Sequence, residues 1–208
     1  MASALNQATH AAQTATVFIV DDDDDLRRSI SLLVRSVGLA EESYATAHDF
    51  LDRFDPEKAG CLVLDVRMPG MSGLELQKTP NSKLVLPPII FISGHGEIPL
   101  ATQAVRAGAI DFLTKPFSPQ ILLERISEAI KLDQENRRKR AHDSEFQARV
   151  ALLSEREQQI MRLLVRGDSS KQIAHQLSIS PKTVDNHRAK ILEKMQVDNT
   201  TQLAHLLT

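Results

Sequence analysis

In Cys61-Leu62-Val63-Leu64-Asp65-Val66-Arg67-Met68-Pro69-Gly70-Met71, four apolar residues run straight into one carboxylate, and Met-Pro-Gly then ends the run. A short apolar run bounded by turn residues reads as a buried strand. An acid at its carboxyl end stands where open α/β sheets place their chemistry. Asp65 is taken as the candidate phosphate acceptor, with the other motifs grouped around it.

Upstream, Val17-Phe18-Ile19-Val20 is a second β-prone run, and it ends in five carboxylates, Asp21 to Asp25. Asp24 or Asp25 fits a helix cap, where an acid satisfies free amides and the helix dipole. Asp21 and Asp22 directly follow the strand. Like charges gathered there repel unless a cation binds, and carboxylates are hard oxygen ligands suited to Mg²⁺.

Downstream the elements alternate. Leu26, Ile30, Leu33, Val34 and Val37 have helical spacing, with Gly38 able to end the helix. Residues 42–45 form a weak strand, and Thr46 caps a helix with Asp49 three residues on. Ser72 starts a helix that Pro80 should stop early. Ile89-Ile90-Phe91-Ile92 is a buried-type strand ending in Ser93-Gly94-His95-Gly96. A helix over residues 99–107 and a strand over 110–113 lead to Thr114-Lys115-Pro116-Phe117. Five alternations predict an α/β doubly wound, five-stranded parallel sheet covered on both faces. In such a sheet the strand ends share one crevice, which gathers Asp21, Asp22, Asp65, Ser93 and Lys115. Those types suit phosphoryl transfer: a carboxylate attacks, a cation and a lysine neutralise charge, and a hydroxyl meets a phosphoryl oxygen.

The chain of 208 residues is 42% hydrophobic, enough for one or two packed cores. Residues 1–118 hold 10 Lys+Arg against 15 Asp+Glu, and residues 119–208 hold 15 against 12. An acidic half followed by a basic half hints at a nucleic-acid partner for the second. The single cysteine, Cys61, forms no internal disulfide and reads as a buried small hydrophobe, which fits a reducing compartment. Residues 1–15 read as a disordered leader rather than a secretion signal. No apolar run approaches the ~18 residues a membrane span needs.

From Gln120 to Arg166 there is neither Gly nor Pro, so a helix can run well past the sheet domain. Residues 133–145 are almost devoid of apolar side chains and contain Arg137-Arg138-Lys139-Arg140. They read as a solvated linker helix, with a DNA-backbone contact as the alternative. Ser154-Glu155-Arg156-Glu157 is a capping box. Ser169 with Gln172, Ser180-Pro181, and Asn199 with Gln202 mark three further helix starts. The second and third of these four helices, joined by a tight turn, read as a helix-turn-helix.

Val20-Asp21-Asp22, Asp65-Val66-Arg67-Met68-Pro69-Gly70-Met71-Ser72-Gly73, Ser93-Gly94-His95-Gly96 and Phe112-Leu113-Thr114-Lys115-Pro116-Phe117 closely resemble the receiver domain of bacterial two-component response regulators. Leu153-Ser154-Glu155-Arg156-Glu157, Gly167, Lys171-Gln172-Ile173-Ala174 and the run from Ile179 to His187 resemble the LuxR-type DNA-binding domain. Together they resemble the NarL/FixJ family, on its FixJ-like branch with regulators of aromatic-hydrocarbon catabolism.

The resemblance implies a receiver at 16–132, a helical linker at 133–151 and an all-α four-helix helix-turn-helix domain at 152–208. It implies Asp65 as phosphoacceptor, with Mg²⁺ held by Asp22, Asp65 and the Arg67 carbonyl, and by Asp21 through water. Lys115 would bind the phosphoryl group, and Ser93 and Phe112 would form the switch pair. On the DNA side it implies Lys182, Thr183, Asp185, Asn186, His187, Arg188, Lys190 and Lys171, with Ala189 where a polar residue is common. A packing role for His187 is an equal alternative. The implied partners are a sensor histidine kinase, promoter DNA, a second copy on phosphorylation and RNA polymerase, all in the cytoplasm. Three positions depart from the pattern: Ser93 replaces threonine, Phe112 replaces tyrosine, and Pro80 interrupts the third helix. A Mg²⁺ phosphatase working through an aspartyl-phosphate is disfavoured, because the position two after Asp65 is Arg67 rather than an acid. A receiver binding only proteins is disfavoured by the complete helix-turn-helix.

Overall fold

The computed structural model describes residues 15–79, 85–94 and 98–206. The chain divides into two compact units, one ending at Arg137 and one beginning at Arg138. The leader expected over 1–15, apart from Ala15, lies outside the described residues, as do Pro80, His95 and Gly96.

The first unit alternates strand and helix. It comprises β1 (Thr16–Val20), α1 (Asp24–Ser36), β2 (Ala40–Tyr44), α2 (Ala47–Arg53), β3 (Gly60–Asp65), α3 (Gly73–Gln77), β4 (Ile89–Ser93), α4 (Ile98–Arg106), β5 (Asp111–Thr114) and the start of α5 (Pro119–Ala151). The sheet order is β2-β1-β3-β4-β5, and every pairing is parallel. This is the predicted doubly wound sheet.

Side chains alternate across the strands, so each strand feeds two cores. Phe18, Val20, Leu62, Leu64 and Phe91 pack on one face with Phe50, Phe54 and Leu74. Val17, Ile19, Cys61, Val63, Ile90 and Ile92 pack on the other with Ile30, Val34, Leu122 and Ile126. Cys61 is fully buried, and burial together with the nearby Asp133 charge pushes its thiol well up, so it is an unreactive core residue.

Local signals set the helix ends. The cap of α1 is Asp23, whose carboxylate accepts from Asp25 and Leu26 N–H, not Asp24 or Asp25 as the sequence suggested. Asp24 instead pairs with Arg27. Thr46 caps α2 through Asp49 N–H as expected. Helix α3 has only five residues between its Ser72–Glu75 capping box and Lys78.

The second unit is all-helical. Besides the end of α5 it holds α6 (Glu155–Val165), α7 (Ser170–Leu177), α8 (Pro181–Met195) and α9 (Thr200–His205). Ile160, Met161, Ile173, Val184, Ile191, Met195 and Leu203 form its core. Ser178, in the left-handed conformation at φ 54°, makes the tight turn between α7 and α8. The capping box expected at Asn199 is half present. Asn199 accepts from Gln202 N–H, but the Gln202 side chain returns to Asp198 N–H instead.

Candidate functional site

The parallel register brings the predicted acids together. Val20 pairs with Leu64, so Asp21 and Asp65 leave neighbouring strands side by side. Ser93 ends the next strand, and Lys115 N–H extends the sheet by donating to the Ser93 carbonyl at 2.7 Å. Gly73 lies under Asp65: a Cβ there would stand 2.2 Å from the Asp65 carbonyl oxygen, so only glycine lets α3 approach.

Asp21 is fully buried and Asp65 is 4% exposed. Lys115 Nζ donates to Asp21 Oδ2 at 2.8 Å and to Asp65 Oδ1 at 2.5 Å. Asp65 Oδ2 accepts from Arg67 N–H at 2.7 Å, and Asp21 Oδ1 accepts from Asp23 N–H at 2.8 Å. Burial raises the Asp65 carboxyl above the ordinary range. The Lys115 bond opposes this and the Asp21 charge adds to it. Burial works against the Lys115 charge, but its bonds to both acids prevail and hold its pKa above the usual lysine value.

One buried group here lacks a partner. Ser93 is 1% exposed, and its Oγ has no hydrogen-bond partner among the described residues. A buried hydroxyl left unpaired costs free energy and is uncommon unless something else meets it. Phe112 is half-buried, its ring centroid 6.4 Å from that of Phe91. Asp22 is exposed beside the buried pair.

Among the described residues, no three acids, histidines or cysteines gather as a ready-made metal cage. The donor chemistry still suits a hard cation. Two buried carboxylates share one ammonium, leaving excess negative charge, and every donor is oxygen. Mg²⁺ needs only one or two carboxylates, with water filling its other positions.

The sequence pattern does not mark Arg27 as part of the site. Its Nη1 donates to the Asp21 carbonyl oxygen at 2.6 Å, tying the first turn of α1 to the end of β1. Nothing in its spacing from Asp21 signals this.

In the second unit, α8 presents Lys182, Asn186, Ala189 and Lys190 along one exposed stripe, opposite buried Val184, Ile191 and Met195. Lys171 on α7 is also exposed. Three other expected DNA residues are engaged inside the unit. Ser170 donates to Asp185 at 2.7 Å, Arg188 Nη2 donates to Thr200 Oγ1 at 2.8 Å, and Thr183 Oγ1 lies 2.8 Å from Ser180 Oγ. His187 is half-buried, with Nδ1 enclosed and unpartnered among the described residues. Among the described residues, no helix is long and apolar enough to cross a membrane.

Two family models match the chain. "Response regulator receiver domain" matches residues 17–127, and "Bacterial regulatory proteins, luxR family" matches residues 151–207. The response regulator protein TodT of Pseudomonas putida is 43% identical over 194 residues, covering 93% of this chain and 86% of TodT. The transcriptional regulatory protein FixJ of Azorhizobium caulinodans is 40% identical over 194 residues, covering 93% and 92%. A structure of the response regulator StyR matches with TM-score 0.81 and 43% identity, over 93% of this chain and 98% of that one. Full-length FixJ from B. japonicum matches with TM-score 0.58 and 38% identity, over 94% and 96%. The chain therefore belongs to the two-component response regulators of the FixJ-like kind, transcription regulators that join a receiver domain to a LuxR-type DNA-binding domain.

Proposed function

We propose that Asp65 is the phosphoacceptor and that its modification controls promoter binding. A sensor histidine kinase supplies the phosphoryl group. The P–N bond to the kinase histidine breaks as a P–O bond forms to an Asp65 carboxylate oxygen. The observation that carries the reading is the buried Ser93 hydroxyl, without a hydrogen-bond partner among the described residues, at the end of the strand that adjoins both Asp65 and Lys115. Among the described residues it is a donor without an acceptor, on the strand next to the carboxylate that would carry three phosphoryl oxygens.

In this reading Lys115 turns from the free carboxylate to a phosphoryl oxygen, and Ser93 donates to another. Phe112, half-buried, follows Ser93 inward. Asp22, Asp65 and the Arg67 carbonyl would hold Mg²⁺, with Asp21 contributing through water. A cation held there would supply charge neutralisation for the phosphoryl oxygens. The receiver then pairs with a second copy in the cytoplasm. Two α8 helices reach half-sites about one DNA turn apart, and the complex meets RNA polymerase. Lys182, Asn186 and Lys190 face the groove, and Lys171 holds a phosphate.

DNA affinity of the phosphorylated and unphosphorylated chain, followed through a salt titration, tests the switch. Tighter binding and dimerisation of the phosphorylated form are expected, and equal affinities at every salt concentration refute it.

A further inference from the structure

Helix α5 carries a buried acid at the last turns that belong to the first unit. Asp133 is 2% exposed, and its Oδ2 accepts from Gly60 N–H at 2.9 Å and from Arg137 Nε at 2.7 Å. Gly60 is the first residue of β3. It has no room for a side chain, because a Cβ would stand 1.8 Å from the Thr16 carbonyl oxygen. Arg137 continues outward from Asp133. Its Nη1 donates to the Glu57 carbonyl at 3.1 Å, and its Nη2 donates to the Pro56 and Lys58 carbonyls at 2.9 and 2.5 Å. One guanidinium thus caps three successive carbonyls of the turn before β3 and pairs with the acid that holds the strand's first amide.

We propose that Asp133 and Arg137 form the joint through which the phosphorylation state of the receiver reaches the DNA-binding unit. The inference rests on the reading of Asp65 given above. Three observations carry it. The clamp grips one end of β3, and Asp65 is the other end of the same strand, six residues that are buried throughout. Arg137 is the last residue of the first unit, and α5 continues unbroken from it to Ala151. Asp133 is buried and the Arg137 side chain is 24% exposed, so the pair is largely desolvated; such an ion pair is a poor stabiliser compared with apolar packing, and its best-attested use is to fix one register among several. Here it fixes the register of α5 against β3. Of the basic run 137–140, the arginine that begins it belongs to this joint, leaving exposed Arg138 and Lys139 to solvent.

The test uses the full chain as wild type, R137A and R137K, the last keeping the charge but not the planar fork. Two quantities are measured. One is labelling of Asp65 by acetyl phosphate with Mg²⁺. The other is the ratio of affinities, phosphorylated to unphosphorylated, for a duplex selected from a random pool by the phosphorylated wild-type chain. Wild type is expected to show a ratio of about tenfold, within the usual range of allosteric coupling. R137A should label normally and still bind the duplex, with the ratio reduced to near one, and R137K should fall in the same direction. A wild-type ratio in either variant overturns the joint. If R137A does not fold, R137K is read by the same criterion. A wild-type chain that takes no label, or shows no ratio, instead overturns the functional reading beneath it.

Discussion

Lys115 Nζ and Asp65 Oδ1 stand 2.5 Å apart across 50 residues of sequence, and the same ammonium reaches buried Asp21. One cation holds two desolvated carboxylates. Removing it leaves like charges facing each other. Lys115→Ala should cost roughly 2 kcal/mol at neutral pH, less than for a fully buried pair because Lys115 keeps some solvent contact. Mg²⁺ should raise the melting temperature of this variant more than that of wild type, because a bound cation restores the lost charge. Thermal unfolding with and without Mg²⁺ checks both, and an unchanged Tm would remove the electrostatic account.

Ser93 leads to the opposite expectation. Its hydroxyl is buried with no partner among the described residues, so the resting protein gains nothing from it. Ser93→Ala should be neutral or stabilising by about 1 kcal/mol in the unphosphorylated form. It should also blunt the gain in DNA affinity on phosphorylation. A clear loss of resting stability would mean that the hydroxyl is already satisfied.

Glu157 gives the pH dependence of the second unit. It completes the Ser154 capping box and accepts from Lys194 on α8 at 2.7 Å. The Lys194 bond first, and the Ser154 amide second, hold its carboxyl down at about 2. The folded pKa lies below the ordinary value, so the stabilisation is complete above about 4.5 and is lost as pH falls toward 2. Hydrogen exchange of the α6 and α8 amides in the full chain should accelerate across that window. Glu157→Gln should cost about 2 kcal/mol at neutral pH and flatten the acid response. A variant that keeps the wild-type acid profile contradicts the assignment.

Lys190 and Arg188 are two residues apart on α8 yet should behave differently. Lys190 is exposed on the outer stripe. Lys190→Ala should weaken DNA binding for all sequences and reduce the salt slope by about 1. Arg188 is tied to Thr200, so Arg188→Ala should lower the stability of the unit by about 1 kcal/mol. Its effect on the salt slope should be smaller than that of Lys190→Ala. Salt titrations beside thermal melts separate the two, and interchanged effects would reverse the placement of these side chains.

The sheet and its crevice were legible because a parallel strand announces itself as an apolar run, and the residue ending each run marks the crevice. Val17 to Asp21, Leu62 to Asp65 and Ile89 to Ser93 all read this way. Partners within polar segments were not legible. Asp133 and Arg137 sit in a stretch with almost no apolar residue, which reads as a solvated face. Their partners at Gly60 and in the turn 56–58 lie more than seventy residues away. Helical spacing on α8 found the outer stripe, but it could not show that Asp185 and Arg188, on its flanks, turn to Ser170 and Thr200. Periodicity reports which face is buried, not which polar side chain closes on which neighbour.

The central claim is chemical, that Asp65 accepts phosphate, and labelling by acetyl phosphate in the presence of Mg²⁺ addresses it directly. Wild type should take one acid-stable, base-labile acyl phosphate that peptide mass spectrometry locates on Asp65, and Asp65→Asn should take none. Full labelling of Asp65→Asn would contradict the account.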